Sequence, residues 1–471
     1  MSSNSGKSGK SATAQSRSFS ESYVLWAQRL LPMPFTIAVI LTLLTMVLAI
    51  LIAPASEDEQ SRGAVIDVLQ AWKTGLWNSG GMVFTMQMIL ILVLGHVLAL
   101  ARPVQWMIDQ ALRWCKDTST SAATVALLTI VMAYLNWGLG LVFGAIFARK
   151  VGEQARRLQF DINYPLVGAA GYVGLMVWHG GISGSAPVTV NSPAHNLVET
   201  TGVIALGETI GSSMNLFYAV PLTLILIPAV LYWLGKRVPS RPFQLSVLED
   251  KEEVSHEQQW AEKLDYGWIL PVLLGVLMLW LCVDDILRTP PADRSLLRFL
   301  TLNWINLALF GTALLVHGSF HSFIRALDEA IRGASGIAIQ FPLYFGIMGI
   351  MTSSGLLGMV ADFFVSISNT ATFPLLTFLS AGIVNVFVPS GGGQWQVQGP
   401  IVIDAARQLG VSDWKTVMAL SYGDQLTNML QPFWALPLLG ITGLKAKEIL
   451  PYTLLMMAVG MVIFASALLL F

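Results

Sequence analysis

Charge is scarce in this chain of 471 residues: 12% of them are Asp, Glu, Lys or Arg, against roughly 25% in soluble domains. A soluble surface needs more charge than this. Hydrophobic residues make up 54% of the chain and recur in runs long enough to cross a bilayer. Composition therefore predicts an all-α polytopic membrane protein. The net charge of −1 argues against nucleic acid as a partner.

Cysteine is nearly absent as well, because Cys115 and Cys282 are the only two in the chain. Two isolated thiols predict neither a disulfide framework nor a metal site. The sequence contains no Walker A motif and no Gly-x-Ser-x-Gly nucleophile elbow, so it gives no sign of ATP as an energy source or of an intramembrane hydrolase. We expect no enzymatic activity, no metal and no cofactor other than a coupling ion.

What the chain does contain is long apolar stretches. Seven of them approach the roughly 20 residues that a transmembrane helix needs. They are residues 35–53, 83–101, 216–234, 267–285, 301–319, 336–360 and 449–471. Residues 1–20 differ, being rich in Ser, Gly and Lys. They predict a disordered tail without a cleaved signal peptide.

Four further apolar regions are interrupted by Gly, Pro and polar residues. They are residues 122–148, 164–211, 373–409 and 416–443. The clearest interruption is Pro-Ser-Gly-Gly-Gly-Gln at 389–394, inside residues 363–403, which contain no Asp, Glu, Lys or Arg. Broken backbone at membrane depth is tolerated only where it is buried in protein or lines a cavity. The motif therefore predicts a polar site inside the membrane protein.

The positive-inside rule distinguishes two topologies. If residues 122–148 and 373–409 are re-entrant hairpins, most of the 27 Lys and Arg residues lie on the side of the N-terminus. If both are simple spans, the same charges divide almost evenly. We therefore predict two re-entrant hairpins, a cytoplasmic N-terminus and a periplasmic C-terminus. Residues 104–115 and 321–333 are amphipathic and predict short interfacial helices.

This topology reveals an internal repeat. Residues 35–234 and 301–471 each consist of two spans, a hairpin, a broken span and a final span. One linking span makes the second half enter from the opposite face, an inverted-topology repeat of the kind that builds many secondary transporters. We predict a tail at 1–20, a first repeat at 21–234, a cytoplasmic loop with the linking helix at 235–300, and a second repeat at 301–471.

Two segments predict a substrate site. Hydroxyl, amide and backbone N–H donors suit a carboxylate, and half-helices that begin at a break direct their positive dipole ends at an anion. The substrate-binding candidates are Ser183, Gly184, Ser185, Thr189, Asn191, Ser192, Ser390, Gly391, Gly392, Gly393 and Gln394. The alternatives are hydroxyls bonded within ordinary helices and a tight turn packed against neighbouring helices.

Asp424 is the only charged residue between Lys415 and Lys445. A charge inside a membrane usually faces the bundle interior and takes part in transport. We predict that a coupling ion binds at Asn136, Asn385, Asp424, Thr427 and Asn428. The alternatives are that Asp424 caps a half-helix and that Asn136 satisfies backbone at a turn. His179 and His195 are expected to make structural hydrogen bonds rather than to relay protons.

Residues 178–193 and 384–395 resemble the bacterial short-chain fatty acid transporter family, whose members include the acetoacetate/butyrate permease. The resemblance extends over the chain after about residue 20. The family is grouped with an ion transporter superfamily that also contains divalent-anion:sodium symporters. The resemblance implies paired hairpins and broken helices in two inverted repeats. It also implies a homodimer in which a transport domain moves against a scaffold domain like an elevator.

The hairpin tips depart from that superfamily. Its anion symporters often carry Ser-Asn-Thr tips, whereas the tips here are Asn136-Trp-Gly-Leu-Gly140 and Pro389-Ser-Gly-Gly-Gly-Gln394. The resemblance to the superfamily therefore does not by itself imply a cation site at these two tips. Trp137, Phe387 and Trp395 suit an apolar substrate tail.

These observations predict a secondary active transporter that takes up short-chain monocarboxylates such as acetoacetate and butyrate across a bacterial inner membrane, by symport with H⁺ or Na⁺. The substrate and membrane lipid are the expected partners. The alternatives are a symporter for dicarboxylates or other organic anions, and a passive anion channel. Because the predicted site contains no Arg or Lys, one negative charge is easier to accommodate than two.

Overall fold

The computed structural model describes residues 34–52, 63–240, 243, 245 and 262–471. Within these residues the regular structure is helical and contains no strand, which confirms the predicted all-α class. The predicted tail at 1–20 and residues 246–261 of the predicted loop lie outside the described residues.

The first half contains helices α1 (Pro34–Ile52), α2 (Ala64–Leu76), α3 (Ser79–Leu100), α4 (Arg102–Ala111), α5 (Thr118–Leu135), α6 (Trp137–Leu158), α7 (Tyr164–Ala170), α8 (Ser185–Val190), α9 (Val198–Thr201) and α10 (Val220–Gly235). The second half contains α11 (Glu262–Tyr266), α12 (Ile269–Arg288), α13 (Pro291–Ser295), α14 (Leu302–His317), α15 (Phe320–Ala330), α16 (Ser335–Ser353), α17 (Leu356–Ser366), α18 (Phe373–Phe387), α19 (Gly391–Gln408), α20 (Asp413–Thr427), α21 (Pro432–Thr442) and α22 (Ala446–Leu470). Short 3₁₀ helices are Leu112–Trp114, Val173–Met176, Trp178–Gly180, Ile331–Ala334 and Asn428–Leu430, and a π-helical turn, Met214–Ala219, leads into α10.

Six helical stretches of the described chain are long and apolar enough to cross a membrane. The linking helix α12 shows why such a helix needs lipid. Its Leu273, Val276 and Trp280 are 62%, 54% and 60% exposed. Large apolar side chains exposed along a whole helix are stable against hydrocarbon and costly in water.

Each predicted hairpin is a pair of packed helices joined by a short break. Asn136 alone separates α5 from α6, in an extended conformation, and its side chain accepts a hydrogen bond from the Leu139 N–H. Residues 388–390 separate α18 from α19, and Ser390 caps α19 by accepting from the Gly393 N–H. In both cases a polar N-cap residue satisfies backbone donors at the start of the second helix. The term first hairpin below means residues 118–158, and second hairpin means residues 373–408.

The first broken segment, residues 164–190, contains α7, two 3₁₀ turns and α8. Glycine permits this path because the backbone passes very close to its neighbours. A Cβ on Gly181 would lie 2.3 Å from the Tyr134 carbonyl oxygen, and one on Gly184 would lie 2.4 Å from the His179 carbonyl oxygen. A side chain at 181 would push this segment away from α5, and one at 184 would disturb the turn at His179.

The second broken segment, residues 413–442, breaks later than the sequence predicts. The polar residues at 421–428 predict an interruption there, but α20 continues to Thr427 and the break covers residues 428–431. Polar residues do not interrupt α20, since Ser421 donates within the helix to the Val417 carbonyl. Pro432 disfavours helical backbone at the preceding Gln431, which is extended.

The prediction of a single span at 336–360 is also wrong in detail, because two helices occupy this segment. α16 ends at Ser353 and α17 begins at Leu356. Gly355 lies between them with φ of 75°, a left-handed conformation that glycine adopts at low cost.

The order of elements recurs in the two halves. Two spans, a hairpin, a broken segment and a final helix occur first as α1 to α10 and again as α14 to α22. The predicted amphipathic segments correspond to α4 and α15, each followed by a 3₁₀ turn. α3 and α16 hold the same place in the two series and pack against each other. The opposite orientation of the two halves in a membrane stays a prediction.

Candidate functional site

A small cavity, called the inner cavity below, lies where the hairpin tips and broken segments meet. It is lined by Met88, Trp137, Leu175, Trp178 and Ser185 from the first half, and by Ile337, Phe341, Ser390, Gly391, Gly392, Asp424, Asn428 and Trp434 from the second. Its volume of about 30 Å³ holds about two water molecules. The walls contain one carboxylate and, among the described residues, no Lys or Arg.

The tip of the second hairpin presents the start of α19 to this cavity. The first N–H groups of a helix have no partner within the helix, and the macrodipole gives this end a partial positive charge. Glycine is needed here for close packing. A Cβ on Gly391 would lie 2.4 Å from His179 Nε2, and one on Gly393 would lie 2.5 Å from Tyr344 Cδ2. Gly392 is less tight, with Phe84 Cζ at 3.0 Å.

Three tryptophans form an aromatic wall beside the tip. The ring of Trp137 lies 5.5 Å from that of Trp178 and 5.4 Å from that of Trp434, measured between centroids. Trp434 donates from Nε1 to the Pro389 carbonyl at 2.9 Å and so holds the tip. The indole N–H groups of Trp137 and Trp178 are buried and have no hydrogen-bond partner among the described residues. They are two neutral, unpartnered donors on residues that line the cavity.

The other aromatic candidates lie elsewhere. Trp395 is fully buried and packs against Gly399, outside the residues that line the inner cavity. The side chain of Phe387 lies outside the described part of the structure. Of the three aromatic candidates, Trp137 lines the inner cavity, and the sequence gave no reason to select Trp178 or Trp434 for the same wall.

His179 and Asp424 form a buried pair. His179 Nε2 lies 3.4 Å from Asp424 Oδ1, and the two side chains are 0% and 1% exposed. Neither ring nitrogen and neither carboxylate oxygen makes a hydrogen bond within the described chain. The structural hydrogen bond expected of the His179 side chain is therefore not present. A buried carboxylate without a hydrogen-bonded partner is energetically costly, and such groups cluster at functional sites.

Sequence reasoning missed this pair because its members lie in different halves of the chain. One hydrogen bond and one ring contact position the imidazole. The His179 N–H donates to Gln425 Oε1 at 2.8 Å, next to Asp424 on α20. The Trp178 ring lies 3.7 Å from the imidazole. His195, in contrast, makes the structural bonds expected of it, with the Gly202 carbonyl and the Leu197 N–H.

Three of the predicted ion-coupling residues meet Asp424 in one polar network. Asn385 Nδ2 lies 2.7 Å from the Asp424 carbonyl oxygen, 3.0 Å from Thr427 Oγ1 and 3.1 Å from Asn428 Oδ1. Asn428 donates in turn to the Leu175 carbonyl on the first broken segment. The network ties the second hairpin to both broken segments.

Asn136 lies apart from that network. Its Oδ1 caps α6 and its Nδ2 donates to the Ile91 carbonyl on α3 at 3.3 Å. These bonds match the alternative in which the amide satisfies backbone at a turn. The first hairpin tip reaches the first broken segment through a neighbour, since the Trp137 N–H donates to Ser183 Oγ at 3.0 Å.

The predicted substrate-binding residues occupy three places. Ser185, Ser390, Gly391 and Gly392 line the inner cavity, whereas Thr189 and Ser192 line a larger open vestibule of about 1160 Å³. The rest support the backbone. Asn191 donates to the Leu300 carbonyl, Gln394 to the Ala381 carbonyl and Ser183 accepts from Trp137, while Gly184 and Gly393 permit close packing.

Two stacked phenylalanines line the vestibule and the inner cavity, one each. Phe84 lines the vestibule and Phe341 lines the inner cavity. Their rings are stacked, with centroids 5.9 Å apart. They come from α3 and α16, the corresponding helices of the two halves. The arrangement can thus offer dipole and indole donors to a single carboxylate, apolar walls to a short tail, and a barrier that must move before a solute enters.

Comparison with known proteins agrees with this architecture. The family model described as "Short chain fatty acid transporter" matches residues 16–471. A relative in Escherichia coli (strain K12), provisionally named a short-chain fatty acid transporter, is 36% identical over 455 residues, which is 95% of this chain and 98% of the relative. A relative in Haemophilus influenzae with the same provisional name is 34% identical, over 91% of this chain and 93% of its own.

Two solved transporters share the fold at low identity. The YdaH transporter of Alcanivorax borkumensis has 13% identity and a TM-score of 0.52, over 92% of this chain and 98% of its own. MtrF of Neisseria gonorrhoeae, from a class of antimetabolite efflux pumps, has 12% identity and a TM-score of 0.55, over 95% and 97%. The relatives and these neighbours are transporters rather than enzymes. Because the family model matches nearly the whole chain and the relatives are more than 30% identical to it, this membrane protein belongs to the short-chain fatty acid transporter family.

Proposed function

We propose that this protein is a secondary active transporter that takes up short-chain monocarboxylates such as acetoacetate and butyrate across a bacterial inner membrane. The observation that carries the proposal is the inner cavity, which combines a helix N-terminus of glycines, unpartnered indole N–H groups and a buried Asp424. The names of the relatives support the same substrate class. A coupling H⁺ or Na⁺ binds near Asp424, with Asn385, Thr427 and Asn428 shaping its surroundings.

The carboxylate binds at residues 390–392, with the N–H groups of Trp137 and Trp178 as further donors. Partial charges of this kind suit one negative charge. A dicarboxylate would place a second charge against apolar walls and the carboxylate of Asp424, which favours a monocarboxylate over the alternative organic anions. The short tail lies against Phe341, Ile337 and Met88.

The small size of the inner cavity supports a carrier over a passive channel. A volume of about 30 Å³ is too small for a four-carbon acid, so the walls must move apart to admit it. Phe84 and Phe341 belong to α3 and α16, whereas the donors belong to the hairpins and broken segments. We infer that the hairpins and broken segments move as a transport domain against a scaffold that includes α3 and α16, in a homodimer with cytoplasmic N-termini and periplasmic C-termini.

The test is exchange in reconstituted vesicles. The purified protein is placed in liposomes preloaded with unlabelled butyrate, and the initial rate of labelled butyrate or acetoacetate entry is measured against protein-free vesicles. A carrier shows faster entry when substrate is present on the opposite side. Entry that is not stimulated by internal substrate would indicate a channel. Entry of succinate in preference to butyrate would indicate the dicarboxylate alternative.

A further inference from the structure

We propose that the coupling ion is a proton shared between His179 and Asp424, and that the imidazole delivers its positive charge to the glycine tip that holds the substrate carboxylate. This inference rests on the proposed transport function. It goes beyond that function because it selects the proton over sodium and gives His179 a role that its sequence context did not suggest.

The geometry places the pair at the substrate site. Asp424 itself lines the inner cavity. His179 lies directly against the tip, since a Cβ on Gly391 would fall 2.4 Å from its Nε2. The same Nε2 lies 3.4 Å from Asp424 Oδ1. One imidazole nitrogen therefore stands between a carboxylate and the start of α19.

The ligands around Asp424 favour a proton over a sodium ion. Hard cations bind through several oxygen atoms, but the group that faces Asp424 Oδ1 is an imidazole nitrogen. Two side-chain oxygens near Asp424, Thr427 Oγ1 and Asn428 Oδ1, already lie within hydrogen-bond distance of Asn385 Nδ2, which leaves Asn385 Oδ1 as the unpartnered oxygen of that side chain. A proton needs only the two basic atoms that the pair supplies.

The other titratable groups on neighbouring elements do not replace the pair. The turn Trp178–Gly180 packs against α5, α8 and α20. α5 contributes Tyr134, which hydrogen-bonds to Thr223, and α20 contributes Tyr422, which donates to Asn215. Asp413 and Lys415 stand at the start of α20, about 13 Å or more from Asp424 along the helix axis. α8 contributes no titratable side chain.

Charge explains how the proton and the substrate are coupled. Asp424 with neutral His179 carries one negative charge, so a bound carboxylate would raise the total to two. One added proton brings the loaded site back to a single negative charge, equal to that of the empty site. The two forms that cross the membrane then carry the same charge, and substrate binding strengthens proton binding by the same factor as the reverse.

The test measures proton uptake when butyrate binds to the full-length protein in detergent. Isothermal titration calorimetry in two buffers of different ionisation enthalpy gives the number of protons taken up. We expect about one proton in the wild type, and an apparent Kd that falls about tenfold for each unit of decreasing pH where the pair is unprotonated. Asp424→Asn and His179→Gln should take up no proton and lose the pH slope. Asp404→Asn and His96→Gln, which change a carboxylate and an imidazole elsewhere, should behave as the wild type.

Measurements of butyrate binding to the wild type are enough to contradict the inference, even if the variants do not fold. Butyrate binding without proton uptake, or binding that requires Na⁺, contradicts it and leaves the transport function standing. Proton uptake that persists in both folded variants contradicts it as well. Failure of the proposed function has a different signature, since neither binding nor exchange of a monocarboxylate is then observed in the wild type.

Discussion

The ring of Phe84 on α3 stacks on the ring of Phe341 on α16, with an interplanar angle of 18°. Phe84 faces the vestibule and Phe341 faces the inner cavity. The stacked pair thus lies between residues of the two spaces, and we infer that it acts as a barrier between them; it is made by helices that occupy the same place in each half of the chain.

Removal of one ring should open this path. In a background without the native cysteines, Ser185→Cys places a thiol in the inner cavity. We expect a charged methanethiosulfonate reagent to modify it severalfold faster when Phe84→Ala is added. Phe323→Ala removes a ring stacked on Phe310 away from the cavity and serves as the control. Equal modification rates with and without Phe84→Ala would show that Phe84 is not the barrier.

The indole N–H groups should contribute directly to substrate affinity. Trp137→Phe and Trp178→Phe keep most of the ring and remove one donor each. A hydrogen bond to a charged group contributes about 1.5–3 kcal/mol, so each change should weaken butyrate binding by about tenfold or more. Trp395→Phe is the matched control, because its Nε1 is also buried and unpartnered but lies outside the cavity lining. If Trp395→Phe weakens butyrate binding as much as Trp137→Phe and Trp178→Phe do, the loss of affinity does not come from indole donors at the cavity.

The glycine tip should tolerate no side chain at Gly391. An added methyl group would meet His179 Nε2 at 2.4 Å, so Gly391→Ala must displace either the tip or the imidazole. We expect butyrate exchange to fall at least about tenfold while the protein stays folded. In Gly440→Ala, where a Cβ would meet no atom within 4 Å, the exchange rate should remain that of the wild type. Normal exchange by Gly391→Ala would show that the close packing of the tip at this glycine is not needed for transport.

Asn385 should matter for stability as well as for function. Its side chain lies against three acceptors and its carbonyl accepts from Gln431 Nε2 at 2.6 Å. Asn385→Ala leaves buried acceptors unpaired, at a cost of about 1–3 kcal/mol. We expect a clear fall in the thermal midpoint of the purified protein. Asn303→Ala, which removes a single exposed side-chain bond to Gln87, should change the midpoint little, and similar falls in both variants would argue against a special role for the Asn385 network.

Several parts of this architecture were predictable because they depend on local chemistry. Apolar length locates the spans, and a break that leaves backbone groups unpaired must be capped, as Asn136 and Ser390 do. The break in the second broken segment was misplaced because polar side chains can satisfy themselves inside a helix. Ser421 does so with a bond to Val417. Gly355 was not recognised as a break, since an apolar run gives little sign of a single left-handed residue.

The site is harder to predict than the fold because it is made of contacts between distant segments. His179 and Asp424 each stand in an almost uncharged stretch, but no local pattern indicates that they meet. The same holds for Trp137, Trp178 and Trp434, which come from three separate segments. Which polar residues face the inner cavity, and which only hold the backbone as Asn191 does, depends on packing that residue type does not reveal.

The inner cavity takes walls from both halves of the chain, and this limits how the protein can be divided. Residues 118–190 supply Trp137, Trp178 and His179, while residues 373–442 supply the glycine tip, Asp424 and Trp434. Neither half keeps a weakened version of the site, because each lacks one member of the His179–Asp424 pair. A chain cut within residues 246–261, which belong to the predicted cytoplasmic segment, should therefore be inactive as either fragment alone, and any activity regained when both fragments are produced together would report their reassembly.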